Sequence, residues 1–189
     1  MTKCTCQQPV KIAICGPLRS GKDMATAYLS LFYGFTPYAF GDSLKAFLFE
    51  IFPNVPREPK PRHLLQRFGQ IMREIDENVW LDACLRKIER NNDSLVLISD
   101  LRQPNEYERL KAEGYVIIRL HADTDVRVTR AIEAGDNFTV HDLIHETETN
   151  LDKFDVDYCV ENNTTPDLLY DELDAIMSQL GVEKTVRGE

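Results

Sequence analysis

No stretch of 18 apolar residues occurs in the chain of 189 residues, so no segment is expected to span a membrane. The N-terminus lacks the basic region and apolar core of a signal peptide. Cysteines are few and odd in number: Cys4, Cys6, Cys15, Cys84 and Cys159 have neither a disulfide-framework spacing nor a zinc-finger spacing. Cys15 closes an apolar run and Cys84 lies in a helical pattern, so both read as small buried hydrophobes. Cys4 and Cys6 form a C-x-C pair with no second pair to complete it, and no metal is expected there. A reducing, cytoplasmic compartment fits this usage. His121, His141 and His145 do not form a ligand spacing, no nucleophile–base pair stands out, and repeats and low-complexity linkers are missing.

Positive charge is also in short supply, with 22 Lys and Arg against 31 Asp and Glu, a formal net charge of −9. A protein coating nucleic acid or an anionic membrane would carry the opposite field, so both partners are excluded. The deficit is local. Residues 1–130 hold 19 basic and 16 acidic side chains, a net +3, while residues 131–189 hold 3 and 15, a net −12. The acidic third, including Asp167, Asp171, Glu172 and Asp174, reads as a solvated outer surface. The first two thirds keep their positive charge for a local use.

What is present is an alternation of strands and helices. Val10–Cys15, Pro37–Phe40, Ser94–Ser99, Tyr115–His121 and Val156–Val160 read as short strands. Ser94–Ser99 is continuously apolar, as in a central parallel strand covered on both faces. Helical spacing appears from Asp23, with Ala27, Tyr28, Leu31 and Phe32 apolar. It appears again after Asp42-Ser43, with Leu44, Phe47, Leu48 and Ile51, where Asp42 is the expected N-cap. The four prolines of residues 53–61 force a loop. Further helices are expected at 62–75, 78–90, 104–113, 123–134 and from Thr165-Pro166 to Gly181. The alternation predicts an α/β fold of three layers, a five-stranded parallel sheet with helices on both faces. Ligands of such sheets bind outside the C-terminal ends of the strands.

The first strand is followed by Gly16-Pro17-Leu18-Arg19-Ser20-Gly21-Lys22, a match to the G-x-x-x-x-G-K phosphate loop. Its glycines let backbone N–H groups curl around phosphate oxygens, the next helix adds its positive end, and Lys22 reaches the β- and γ-phosphates. Asp23 stands where Ser or Thr usually holds Mg²⁺. A carboxylate there is a hard oxygen ligand, direct or through water, and equally suits the helix dipole; Ser20 is the other candidate to compensate. Asp42, after the second strand, faces the place of a phosphate acceptor or caps its helix. Asp100, at the end of the apolar third strand, has the Walker-B position for Mg²⁺, and Arg102 can clamp a phosphoryl group. Arg127 and Arg130 share a helix face beside the aperiodic stretch 135–152, as arginines of a water-excluding lid or of a solvated face. The helix at 62–75 sets Arg62, Gln66, Arg67, Gln70 and Arg73 opposite its apolar stripe, a face that suits an acceptor phosphate and base or plain solvent. The chemistry indicated is phosphoryl transfer by positioning and electrostatics.

The segments RSGKD (Arg19 to Asp23), FGDSLK (Phe40 to Lys45), LLQRFGQIMREIDENVW (Leu64 to Trp80), SDLRQPNE (Ser99 to Glu106) and HETETNLDKFDVDYCVENN (His145 to Asn163) resemble the deoxynucleoside monophosphate kinases of tailed phages. These belong to the P-loop nucleotide kinase superfamily, and the likeness runs over residues 10–180. Asp after Gly-Lys is usual in that family; FGDSLK departs from its FADPLK but keeps Asp42 and Lys45. Animal-type phosphomevalonate kinases look similar at the loop, the S-D-x-R strand end and the L-D-x-F tail, while the LLQRFGQ…DENVW block favours the phage enzymes. The resemblance implies one P-loop kinase domain over 1–189, with a flexible 1–9, a helical acceptor-binding segment at about 53–91 and a lid region at about 127–152. It implies ATP as phosphoryl donor with Mg²⁺ on Asp23 and Asp100. Gly16, Arg19, Ser20, Gly21, Lys22 and Asp23 would bind the phosphates, and Asn162 would lie near adenine. Lys22, Arg102, Arg127 and Arg130 would be catalytic, and Asp42, Lys45, Arg67, Arg73 and Asp100 would meet the acceptor. The expected partners are nucleotides, with a homodimer left open. Kinases of phosphomevalonate or dephospho-coenzyme A, and a non-catalytic nucleotide-binding module, are the alternatives.

Overall fold

The computed structural model describes residues 9–135 and 151–185. Cys4, Cys6, His141, His145 and most of the expected lid stretch lie outside the described residues. In chain order the elements are β1 (Val10–Cys15), α1 (Lys22–Tyr33), β2 (Thr36–Tyr38), α2 (Phe40–Ile51), α3 (Arg62–Ile75), α4 (Val79–Asn91), β3 (Leu95–Leu101), α5 (Pro104–Ala112), β4 (Val116–His121) and α6 (Thr124–Glu133). A single 3-10 turn (Leu151–Lys153), β5 (Tyr158–Glu161) and α7 (Pro166–Gln179) complete the fold. The chain divides into two compact units, residues 1–37 with 93–189, and residues 38–92. No described helix is long and apolar enough to cross a membrane.

The first unit is built on the expected five-stranded parallel sheet, in the order β2-β3-β1-β4-β5. Strand alternation sorts its side chains. Ile12, Ile14, Leu97, Ile118, Leu120 and Val160 point to the face that α1 and α7 cover with Ala25, Tyr28, Leu29, Leu169, Leu173 and Met177. Their alternates Ala13, Val96, Ile98 and Ile117 are equally buried on the other face. Cys15, Arg119 and Cys159 form a row across that second face, paired in register from β1 to β4 to β5. Burial raises the Cys15 thiol pKa, and the neighbouring Arg119 guanidinium moderates the shift.

The stretch after the 3-10 turn is fastened to this sheet from several sides. Arg119 donates to Leu151 O at 2.6 Å and Phe154 O at 2.7 Å. Tyr107 stacks on Phe154 at 4.5 Å and donates to Asp155 O. Asp157 accepts from the Ile117 N–H and from Lys111. At the far end of the unit, Asp174 on α7 accepts from Tyr28 OH and Tyr33 OH, both at 2.7 Å, and from Lys184 Nζ at 2.6 Å.

The second unit packs α2 against α3 and α4. Gly69 lets α2 approach: a Cβ there would stand 2.5 Å from Leu44 Cδ1. Trp80, buried, donates its indole N–H to Gly69 O and lies beside Phe47 and Phe68.

Several local expectations shift. On α1 the buried stripe is Ala25, Tyr28, Leu29 and Tyr33, leaving Leu31 and Phe32 exposed, because the helix turns its 25/29 ridge to the sheet. Helix α2 begins at Phe40, so Asp42 sits in its first turn and Ala39 takes the N-cap position. Phe47, Ile51 and Ile75 are exposed rather than core. Strand β3 runs two residues further than its apolar run, through Asp100 to the fully buried Leu101. Asp174 is half-buried and hydrogen-bonded rather than solvated surface.

Candidate functional site

The C-terminal end of β1 opens directly into the loop Gly16–Gly21, and α1 starts at Lys22. Two backbone positions require glycine. Gly16 has φ 154° and a Cβ there would run into Leu120 O and stand 2.7 Å from Ser20 Oγ. Gly21 has φ 102°, and a Cβ would collide with Asn162 Nδ2. Arg19, between them, also has a positive φ of 62°, which is unfavourable for a residue with a side chain. The loop therefore folds into a cradle that only this glycine pattern allows.

The cradle is cationic. Lys22, 9% exposed, lays its ammonium across the loop and donates to Gly16 O and Pro17 O, both at 2.7 Å. From α6, Arg127 reaches Leu18 O at 3.4 Å and Thr124 Oγ1 at 3.3 Å. Arg130 reaches Arg19 O at 3.5 Å and Asn162 Oδ1 at 3.4 Å. Asn162 lies under the loop, 3% exposed, and donates to Ser20 O at 2.9 Å. Ser20 is fully buried, and its Oγ has no hydrogen-bond partner among the described residues. A buried hydroxyl without a partner is costly and marks the loop as locally strained for polar satisfaction. Together with the positive end of α1, these groups fit a polyphosphate.

Beside the cradle, β1 pairs with β3, and the register passes from Ala13↔Ile98 to Cys15↔Leu101. Strand β3 thus carries one extra residue at Ser99–Asp100, a bulge of the kind that re-aims side chains at the end of a strand. Asp100 is half-buried there. Arg102 follows, its backbone set by Glu106, whose Oε2 accepts from the Arg102 N–H at 3.0 Å and the Gln103 N–H at 2.9 Å. Glu106 is only 5% exposed and forms a capping box with Gln103. Its signal in the sequence is the Gln-Pro-Asn-Glu start of α5. Asp23 is exposed in the first turn of α1. Among the described residues no three His, Cys, Asp or Glu side chains form a metal-binding group. Asp23 and Asp100 are hard oxygen donors of the kind that bind Mg²⁺ together with phosphates and water.

Thus Gly16, Arg19, Ser20, Gly21, Lys22, Arg127, Arg130 and Asn162 are brought together, and Asp100 and Arg102 stand at the end of the neighbouring strand. Asp42, Lys45, Arg67 and Arg73 belong to the second unit. Within it, Lys45 pairs with Asp42 at 2.9 Å in an exposed bridge, Arg67 is exposed and Arg73 is half-buried. Sequence reasoning missed Arg119, Asp157 and Glu106, all of which hold backbone in place.

No family model and no curated protein matches the chain. Its fold is similar to solved structures. A Thermus thermophilus protein is 18% identical with a TM-score of 0.58, covering 92% of this chain and 99% of that one. A gluconokinase from Sinorhizobium meliloti is 18% identical with a TM-score of 0.55, covering 92% and 95%. Shikimate kinase from Acinetobacter baumannii, solved with shikimate, is 18% identical with a TM-score of 0.54, also covering 92% and 95%. The chain shares the α/β fold of these structures, a five-stranded parallel sheet with helices.

Proposed function

We propose that this chain is a kinase that transfers the γ-phosphoryl group of ATP to a deoxynucleoside monophosphate, giving the diphosphate. The carrying observation is the cradle: a glycine-dependent loop with a buried unpartnered Ser20 Oγ, crossed by Lys22 and flanked by Arg127 and Arg130. Phosphoryl transfer needs little covalent work from a protein; it needs the donor held in line and its charge neutralised. In this reading Lys22 and the loop hold the donor phosphates. Arg102, Arg127 and Arg130 stabilise the charge of the transferring group, each contributing about 3 kcal/mol or more. Asp23 and Asp100 would hold Mg²⁺, which when bound neutralises phosphate charge. Asp42, Lys45, Arg67 and Arg73 recognise the acceptor, a role supported by the resemblance of FGDSLK and LLQRFGQIMREIDENVW to phage enzymes.

A second reading, a kinase of a small non-nucleotide metabolite, is favoured by the likeness to a gluconokinase and a shikimate kinase. Coupled ADP release over the deoxynucleoside monophosphates, gluconate, shikimate, phosphomevalonate and dephospho-coenzyme A separates the two. Turnover with at least one deoxynucleotide is expected. Turnover with a non-nucleotide alone overturns the first reading, and tight ATP binding without transfer to any acceptor overturns both.

A further inference from the structure

Asn162 follows β5, and the resemblance would set it near adenine. Its environment points elsewhere. It is 3% exposed, and both ends of its side-chain amide are engaged by protein: Nδ2 donates to Ser20 O at 2.9 Å and Oδ1 accepts from Arg130 Nη2 at 3.4 Å. Only one orientation of the amide pairs its donor with a carbonyl and its acceptor with a guanidinium, so the two partners fix it. Its own backbone N–H donates to His121 O at 2.7 Å, anchoring the residue to the end of β4. Two protein partners and near-complete burial leave this amide little access to a base.

What it touches is the part of the loop where Arg19 and Gly21 flank Ser20. Arg19 and Gly21 both have positive φ, and Ser20 lies between them. A side-chain-bearing residue held in the left-handed region persists only when its surroundings hold it there. Asn162 supplies that hold at Ser20 O. In a trans peptide the C=O and the following N–H point in opposite directions. Fastening Ser20 O to Asn162 therefore turns the Gly21 N–H away from Asn162. The collision that a Gly21 Cβ would make with Nδ2 shows how closely the two groups meet.

We infer that Asn162 is a positioning residue of the phosphate loop, setting the Ser20–Gly21 peptide and tying Arg130 to the same point, and that it acts through these groups and not on the nucleotide base. This deepens the kinase reading, and only its kinetic arm rests on that reading.

The test uses inorganic tripolyphosphate, which has phosphates and no base, beside ATP, with affinities measured by titration calorimetry on the full chain. Asn162→Asp keeps the size and the acceptor for Arg130 but places an oxygen against Ser20 O; Asn162→Ser removes both contacts and serves if the first variant does not fold. Affinities for tripolyphosphate and ATP are expected to fall by the same factor, about tenfold or more. Turnover with ATP and with GTP falls together, leaving their ratio unchanged, and Asn162→Ser combined with Arg130→Ala costs less than the product of the single effects. In the unaltered protein labelled with ¹⁵N-glycine, the Gly21 amide resonance shifts on adding tripolyphosphate. A fall in ATP affinity without a fall for tripolyphosphate, a changed ATP-to-GTP ratio, or a Gly21 resonance that does not move overturns the inference. Should the unaltered protein bind tripolyphosphate and phosphorylate no acceptor, the kinase reading fails while the role of Asn162 stands.

Discussion

Replacing Asp174 by Asn tests the clasp between α1, α7 and the end of the described chain. Its carboxylate accepts from Tyr28, Tyr33 and Lys184. Burial alone would raise its pKa, but the hydrogen bonds from Lys184, Tyr33 and Tyr28 together outweigh burial and lower it. The tyrosine hydroxyls are pushed up in turn, by burial first and also by the bond to Asp174 at Tyr33. Tyr28 is 7% exposed and Tyr33 is 3% exposed, so neither hydroxyl can readily turn to water. A hydrogen bond to a charged group contributes about 1.5–3 kcal/mol net when well buried. The Asp174 side chain is 32% exposed, so about 1 kcal/mol for each tyrosine is the appropriate figure. Lys184 is too exposed to add much. Asn keeps the shape and an oxygen that accepts from both hydroxyls but loses the charge, so Asp174→Asn should destabilise by about 1 kcal/mol, or about 2–4 °C in Tm for a chain of this size. The sign with pH is fixed: a carboxyl whose folded pKa is depressed stabilises above its unfolded value, near 4, and loses that contribution as pH falls through the folded value. Thermal unfolding followed by far-UV circular dichroism should show the full gap between the two proteins at pH 7 and a closing gap below about pH 4. A gap under about 0.5 kcal/mol at pH 7, or one that persists in acid, refutes the reasoning.

Lys22→Ala should reduce phosphoryl transfer by at least about 100-fold while far-UV circular dichroism stays native; near-normal turnover would remove the loop assignment. Arg102→Ala should lower kcat by about 100-fold with little change in the KM for ATP, because its role is placed in the transferring state; steady-state kinetics read this split. Arg119→Met strands two carbonyl oxygens, Leu151 O and Phe154 O, at a cost of about 1–3 kcal/mol. Limited trypsin digestion should then cut faster after Lys153, and an unchanged digestion rate counts against the anchoring role.

Much of this was readable in the sequence because it rests on local chemistry. Val10–Cys15 is a strand by composition, Gly16 to Gly21 a tight loop by glycine placement, and Pro166 to Gln179 a helix by its start and period. The five-stranded parallel sheet followed from alternation. What was not readable depends on distant pairs. Asp174 looks like one more acidic surface residue until Tyr28 and Tyr33, 146 and 141 positions away, are brought to it. Leu31 and Phe32 have the right spacing for a core stripe, but the face of α1 that meets the sheet is set by the loop before it. Asp100 is polar, so pattern alone ended β3 at Ser99, whereas pairing with Cys15 carries the strand through to Leu101. Asn162 was legible as a site residue only through resemblance, and its engagement with Ser20 and Arg130 required the fold.

Two of the fastenings of the first unit, those of Arg119 and Asp174, differ in how they respond to acid. Arg119 grips carbonyl oxygens, and neither partner changes charge anywhere in the ordinary range of pH. The Asp174 clasp is held by a group that does. Acid should therefore weaken the tie of Tyr28 and Tyr33 to Asp174, while the Arg119 contacts to Leu151 O and Phe154 O keep their charge state and the Thr185 bonds to Phe32 O still hold the end of the chain to α1. Because α1 begins at Lys22, the helix whose ties weaken is the one that follows the Gly16–Gly21 loop.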